Sequence, residues 1–280
     1  MKHYIVRFGL VLQLLLMFSL SQTAGATTDS AKDEFPGRAK YPNVPVISKS
    51  ALMAQYKDVV IVDARSSLEF ETLRVKDAVN IPVASKTFVE QVKALRATSN
   101  KPIVFYCNGR TCMKSYKAVK LCKKNNIQNT IAYDAGMFEW AKSFPTHAAL
   151  FGQSPIRSSD IISKQKFQAH SLSPNQFSEE IYKRGKKTLV VDIRDKYQRG
   201  AAGFFPTQEL WASLDDRAKL NAYIKQAKEE NRALFIYDEV GKQVRWLQYA
   251  LEKENIKNYY FMATGAKGYY KQMMSEFGIQ

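Results

Sequence analysis

Val60-Ile-Val-Asp63-Ala-Arg65 returns 129 residues later as Leu189-Val-Val-Asp192-Ile-Arg194. Ile127-Gln-Asn129 through Gly136 returns as Ile256-Lys-Asn258 through Gly265 at the same offset. Agreement at both ends of a unit, with a period far longer than the roughly 20 to 50 residues of a solenoid repeat, indicates a duplicated domain. Inside each copy, short β-branched runs alternate with helical patterns. In the first, Val59–Val62 reads as a buried strand, Lys86–Ala97 as a helix, Pro102–Tyr106 as a strand, Lys114–Lys124 as a helix and Asn129–Tyr133 as a strand. Strands separated by helix-length segments need crossover connections, so the expected fold is α/β: two domains, each a mainly parallel sheet flanked by helices on both faces.

The chain has 280 residues, 45% hydrophobic and 12% aromatic, enough for two domains of ordinary size. At its start, Lys2, His3 and Arg7 precede the apolar run Phe8–Leu20, and Ala24-Gly25-Ala26 offers the small residues that a signal peptidase reads. The run is shorter than the roughly 20 residues that span a bilayer as a helix. The expectation is a cleaved signal peptide over 1–26, cut after Ala26, a periplasmic location, and no transmembrane segment afterwards. A polar, proline-interrupted tether over 27–40 then leads to a first domain at 41–150, a linker at 151–164 and a second domain at 165–280. Lys plus Arg total 42 against 26 Asp plus Glu, a net charge of +16, and loss of Lys2 and Arg7 leaves +14. Such a chain favours anionic partners, but export argues against nucleic acid. The sequence leaves the oligomeric state open.

Cys107, Cys112 and Cys122 are the cysteines. An odd and small number does not build a disulfide scaffold in an oxidising space, so an unpaired thiol there asks for an explanation. Cys122 falls within an apolar stripe of its helix and reads as core. Cys107 instead ends a strand and opens Cys107-Asn108-Gly109-Arg110-Thr111-Cys112, poor core material directly before a helix. That position is the carboxyl edge of a parallel sheet, facing the positive end of the next helix. The amides of a tight turn there converge on an anion, Gly109 gives the turn its freedom, and Arg110 adds a full positive charge. The Cys107 thiol pKa is expected to fall, making it a nucleophile, with Asn108, Gly109, Arg110, Thr111 and Cys112 binding substrate. Asp63 and Arg65, at a strand end, are expected to pin loops rather than to act as acid and base. With only His147 and His170 after the signal segment, no metal site or histidine triad is supported, and no cofactor is called for.

These residues resemble the rhodanese family: Asp63-Ala64-Arg65, Glu69-Phe70, Asp77-Ala78-Val79-Asn80-Ile81-Pro82, the loop opening at Cys107 after Phe105-Tyr106, and Gly136-Met-Phe-Glu-Trp140. The resemblance implies a sulfurtransferase in which Cys107 takes a sulfane sulfur from a donor such as thiosulfate or a persulfide, carries it as a persulfide, and passes it to a thiophilic acceptor. The partners so implied are a small-molecule or protein donor and a thiol acceptor. A histidine frequent in the family is absent from Leu73-Arg74-Val75-Lys76-Asp77. The other departure is Cys112, which could resolve a persulfide or close a disulfide. Relatives of this fold that handle phosphate-sized oxyanions place an arginine six residues after the cysteine, and here position 113 is methionine. In the second domain Asp238 stands where Cys107 stands in the first, and the following segment is two residues shorter, so that domain is read as inactive. The alternatives are a thiol-disulfide redox protein using Cys107 and Cys112, and a non-catalytic binding module.

Overall fold

The computed structural model describes residues 34–200 and 203–278; the expected signal peptide, its cleavage site after Ala26 and positions 27–33 lie outside the described residues. The first half runs α1 (Pro36–Lys40), α2 (Lys49–Ala54), β1 (Val60–Asp63), α3 (Ser67–Thr72), β2 (Leu73–Val75), β3 (Val79–Asn80), α4 (Phe88–Thr98), β4 (Ile103–Tyr106), α5 (Lys114–Lys124), β5 (Thr130–Tyr133), α6 (Gly136–Ser143) and β6 (Ala148–Leu150). After the short helix α7 (Lys164–Gln168), the second half runs β7 (Ser171–Leu172), α8 (Pro174–Arg184), β8 (Thr188–Asp192), α9 (Lys196–Arg199), β9 (Glu209–Trp211), α10 (Arg217–Glu229), β10 (Ala233–Tyr237), α11 (Val244–Lys253), β11 (Tyr259–Met262) and α12 (Gly265–Glu276).

Each half holds a parallel sheet, β3-β1-β4-β5 in the first and β7-β11-β10-β8-β9 in the second. A parallel bridge from Val46 to Ala132 puts a fifth element on the β5 edge, where β7 lies on β11. The two halves therefore repeat one strand order. The α/β class with helices on both faces is as the alternation of patterns predicts.

Alternate residues of each central strand feed opposite faces, as a period of two requires. Ile61, Val104 and Tyr106 enter one core with Trp140, whereas Val62, Ile103 and Phe105 enter the other with Phe88 and Tyr116. Leu189, Val191, Leu234 and Ile236 oppose Val190, Phe235 and Tyr237 in the same way. Strands buried on both faces read as unbroken apolar runs, which is why they are visible in the sequence. Their observed ends in the first half differ from the expected ones by at most one residue.

The Trp140 core does not stop at the first half. Trp246 and Tyr249 of α11 belong to it, with Ile156 and Ile162 of the connecting segment, and the Tyr249 hydroxyl accepts from the Ile162 amide at 3.1 Å. Phe138 stacks on Trp246 with centroids 5.2 Å apart. Among the described residues no helix is long and apolar enough to cross a membrane.

Candidate active site: the Cys107–Cys112 loop

Strand β4 ends at Tyr106 and α5 begins at Lys114, so the loop between them sits at the carboxyl edge of the sheet. The Cys112 amide closes a turn on the Gly109 carbonyl at 2.8 Å, and the Cys107 carbonyl accepts from the Met137 amide at 2.9 Å. Gly136, at φ +79°, is the floor of this turn: a Cβ there would stand 2.4 Å from the Gly109 nitrogen. Gly265, at φ +61°, underlies the second-half loop in the same way, against Asp238 and Gly241. Close approach and positive φ together account for the repeated glycine.

Asp63 and Arg65 take the structural role expected of them. The Arg65 guanidinium, fully buried, grips the Asp63 carboxylate through Nε (2.9 Å) and Nη2 (2.6 Å), donates to the Leu73 carbonyl at 2.6 Å, and reaches the Asn108 side-chain oxygen from Nη1 at 2.9 Å. Asn108 in turn donates through Nδ2 to Glu69 Oε1 at 2.6 Å. The other Glu69 oxygen takes the Lys114 ammonium at 3.0 Å and closes a capping box on Ser66 at the start of α3. Burial alone would raise the Glu69 pKa, but Lys114, Arg65 and the bonds from Asn108 and Ser66 outweigh it and hold it at about 2. Glu69 therefore clasps the front of the loop to α3 and α5. Sequence reasoning placed Glu69 only within a family pattern; its capping-box spacing from Ser66 is the signal that could have marked it.

The thiols do not share the charge as expected. Cys107 is fully buried, and burial pushes its pKa well up, reinforced by its contact with Cys112. Its sulfur lies 3.3 Å from the Cys112 carbonyl oxygen and 3.6 Å from the Ser115 hydroxyl. Cys112, only partly exposed, is the acidic member, lowered to about 6 chiefly by the neighbouring Cys107 side chain, against its own burial, and further by the amides of Lys114 and Asn108. The turn amides thus converge on sulfur, but on that of Cys112. The expected fall in the Cys107 pKa is corrected: β4 carries that thiol below the surface, where burial penalises its charged form.

Arg110, expected to draw in an anionic donor, is paired with Glu34 and lies over the Phe35 ring at 5.1 Å. Thr111 is exposed at the tip of the loop. Cys122 is core, packed with Tyr116 and Val119, and burial pushes its thiol up to about 12.

In the second half, Asp238 occupies the place of Cys107 and fills the turn with its own carboxylate. Oδ1 accepts from the amides of Val240 (2.8 Å) and Gly241, and Oδ2 from those of Gln243 and Val244 (3.1 Å). Among the described residues no group of three or more His, Cys, Asp or Glu side chains could hold a metal ion.

Residues 49–143 match the family model described as Rhodanese-like domain. Among curated proteins none matches. Similar solved structures include a Bacillus halodurans protein (15% identity, 47% of this chain and 94% of that one, TM-score 0.35). A rhodanese-related protein from Thermoplasma volcanium shares 18% identity over 36% of this chain and 93% of its own, with a TM-score of 0.30. The thiosulfate sulfurtransferase of Pseudomonas aeruginosa shares 16% over 81% of this chain and 44% of its own, with a TM-score of 0.36.

Proposed function

We propose that the chain is a sulfurtransferase that carries a sulfane sulfur as a persulfide on Cys107, from an anionic donor to a thiol or other thiophilic acceptor. The observation that carries this reading is a pair of thiols at the carboxyl edge of the sheet: Cys107, buried with its sulfur 3.6 Å from the Ser115 hydroxyl, beside a Cys112 thiol held at a pKa of about 6. A nucleophile next to a base poised near neutrality is the arrangement covalent catalysis needs.

The donor's outer sulfur displaces the Cys112 side chain from the amides of Asn108 and Lys114, and Cys112 takes the Cys107 proton as it leaves. The Cys107 thiolate, supported by the Ser115 amide and hydroxyl, attacks that sulfur. With thiosulfate, the S–S bond of the donor breaks and sulfite departs with the electron pair. An acceptor thiolate then attacks the outer persulfide sulfur and Cys107 leaves as thiolate. Asn108, Gly109 and Thr111 contribute the turn, and Arg110 faces donor or Glu34 in exchange.

Intact mass after incubation with thiosulfate or a persulfide donor tests this: one added sulfur in the wild type, none in Cys107→Ala, and slowed loading in Cys112→Ser. Absence of the adduct with every donor removes the reading. The facing thiols also favour a second one, a reversible Cys107–Cys112 disulfide exchanging with a partner dithiol. Thiol trapping of protein taken directly from cells separates them, since sulfur transfer leaves both thiols unlinked and redox exchange leaves a linked fraction.

The reading includes export by a cleaved signal peptide over 1–26 to the periplasm, a catalytic domain at 41–150 and an inactive one at 165–280. N-terminal sequencing of protein recovered from the envelope fraction tests the cut after Ala26.

A further inference from the structure

Helix α5 turns its buried residues, Ser115, Tyr116, Ala118, Val119 and Cys122, into the domain, which leaves its lysines outside. Lys114, Lys117, Lys120 and Lys124 line one side of a groove of about 530 Å³ whose apolar lining comes from Tyr41, Val83 and Leu121. Lys114 is taken by Glu69, and Lys120 lies 5.9 Å over the Tyr41 ring. Among the described residues, no carboxylate pairs with Lys117, Lys120 or Lys124. The groove starts at the catalytic loop, since Lys114 is two residues past Cys112.

We propose that this groove docks an acidic polypeptide segment of a protein partner and thereby leads that partner's thiol to the Cys107–Cys112 loop; the inference deepens the sulfur-transfer reading and rests on it for the identity of the reaction. Charge complementarity selects an anion. The dimensions select a polypeptide: the ten helical steps from Lys114 to Lys124 span about 15 Å, at roughly 1.5 Å per residue. Small acceptors such as cyanide or a simple thiol meet one end of such a row. An extended segment, at about 3.3 Å per residue, aligns around five side chains with it, while its apolar atoms meet Leu121 and Val83. Unpaired ammonium groups beside apolar surface lose little by exchanging water for carboxylates, and the same field speeds encounter.

The test uses the mature chain and two peptides, pentaglutamate-Gly-Ser carrying a fluorophore and pentaglutamate-Gly-Cys as acceptor. Anisotropy should show the labelled peptide binding the wild type, and binding weakened about tenfold by Lys117→Glu/Lys120→Glu/Lys124→Glu and by raised salt. The triple Gln variant should fall between the two. In transfer assays the Cys peptide should show KM raised about tenfold by the Glu variant, with dithiothreitol used equally well by both proteins. Equal binding by wild type and Glu variant, or no binding to either, overturns the docking proposal even if dithiothreitol accepts sulfur. If no persulfide forms yet the binding difference persists, the sulfur-transfer reading is what has failed, and the groove stands as an acidic-segment site.

Discussion

The Trp246 ring, carried by a helix of the second half, covers the guanidinium of Arg65 in the first, with Arg65 Cζ 4.9 Å from the ring centroid. Arg65 is fully buried, and its Nη1 holds Asn108 in the Cys107–Cys112 loop at 2.9 Å. The second half thus reaches the loop through a buried cation. Trp246→Ala should cost about 3 kcal/mol, the usual price of emptying an aromatic site in a core. It should also slow sulfur loading by letting water at Arg65, whereas Trp246→Phe keeps most of both. Denaturant unfolding and loading kinetics measure the two effects. Unchanged loading in a destabilised Trp246→Ala protein would show that the contact serves only packing.

The loop thiols should respond to pH as a pair. Alkylation of Cys112 by iodoacetamide, followed by peptide mass mapping, should rise with a midpoint near its pKa of about 6 and level off above about pH 7. Cys107 and Cys122, both pushed up by burial, should stay unlabelled over that range. In Cys107→Ala the main cause of the low Cys112 pKa is gone, so the midpoint should move up. A midpoint that stays put would assign the acidity to the Lys114 and Asn108 amides alone.

Strand β1 and its repeat β8 were legible because both faces are buried, which makes each an unbroken apolar run ending in Asp-x-Arg. The loop was legible because Asn, Gly, Arg and Thr are poor core residues. What the thiols do was not, since which sulfur meets the amides depends on how far β4 carries Cys107 below the surface. Arg110 shows the same limit: its charge is plain in the sequence, but its pairing with Glu34 joins residues far apart in the chain. So does Trp246, whose partner Arg65 lies in the other half and follows no periodicity. Local pattern records burial and turn chemistry; the long-range contacts that set a pKa or cover a cation are written only in the packed chain.

Glu69 makes the site acid-sensitive. Its folded pKa of about 2 lies below the ordinary 4.5, so the carboxylate form is favoured by folding. The stability it adds is complete above about pH 4.5 and is lost as pH falls from there through about 2. A shift of this size corresponds to about 3 kcal/mol. Glu69→Gln should be less stable than wild type at pH 7 and should converge with it toward pH 2. Chemical unfolding at several pH values measures this, and a gap that does not close with acid would assign the loss to the hydrogen bonds of Asn108 and Ser66 alone.

In the second half, Asp238 does more than leave out a nucleophile. Its carboxylate satisfies four amides of a turn shaped to hold an anion, with Val240 and Val244 at 2.8 and 3.1 Å and Gly241 and Gln243 between them. Asp238→Ala should therefore destabilise the protein by about 3 kcal/mol, because buried donors lose their acceptor. Added formate, a carboxylate small enough for the vacated volume, should raise the Tm of Asp238→Ala well above any effect on wild type, since it binds only the folded variant. Equal shifts in both proteins would mean that the turn closes on itself once the side chain is gone. Asp238→Cys in a Cys107→Ala background should take up no sulfur: this loop-and-helix segment is two residues shorter than its counterpart, and no second thiol stands there to receive the proton.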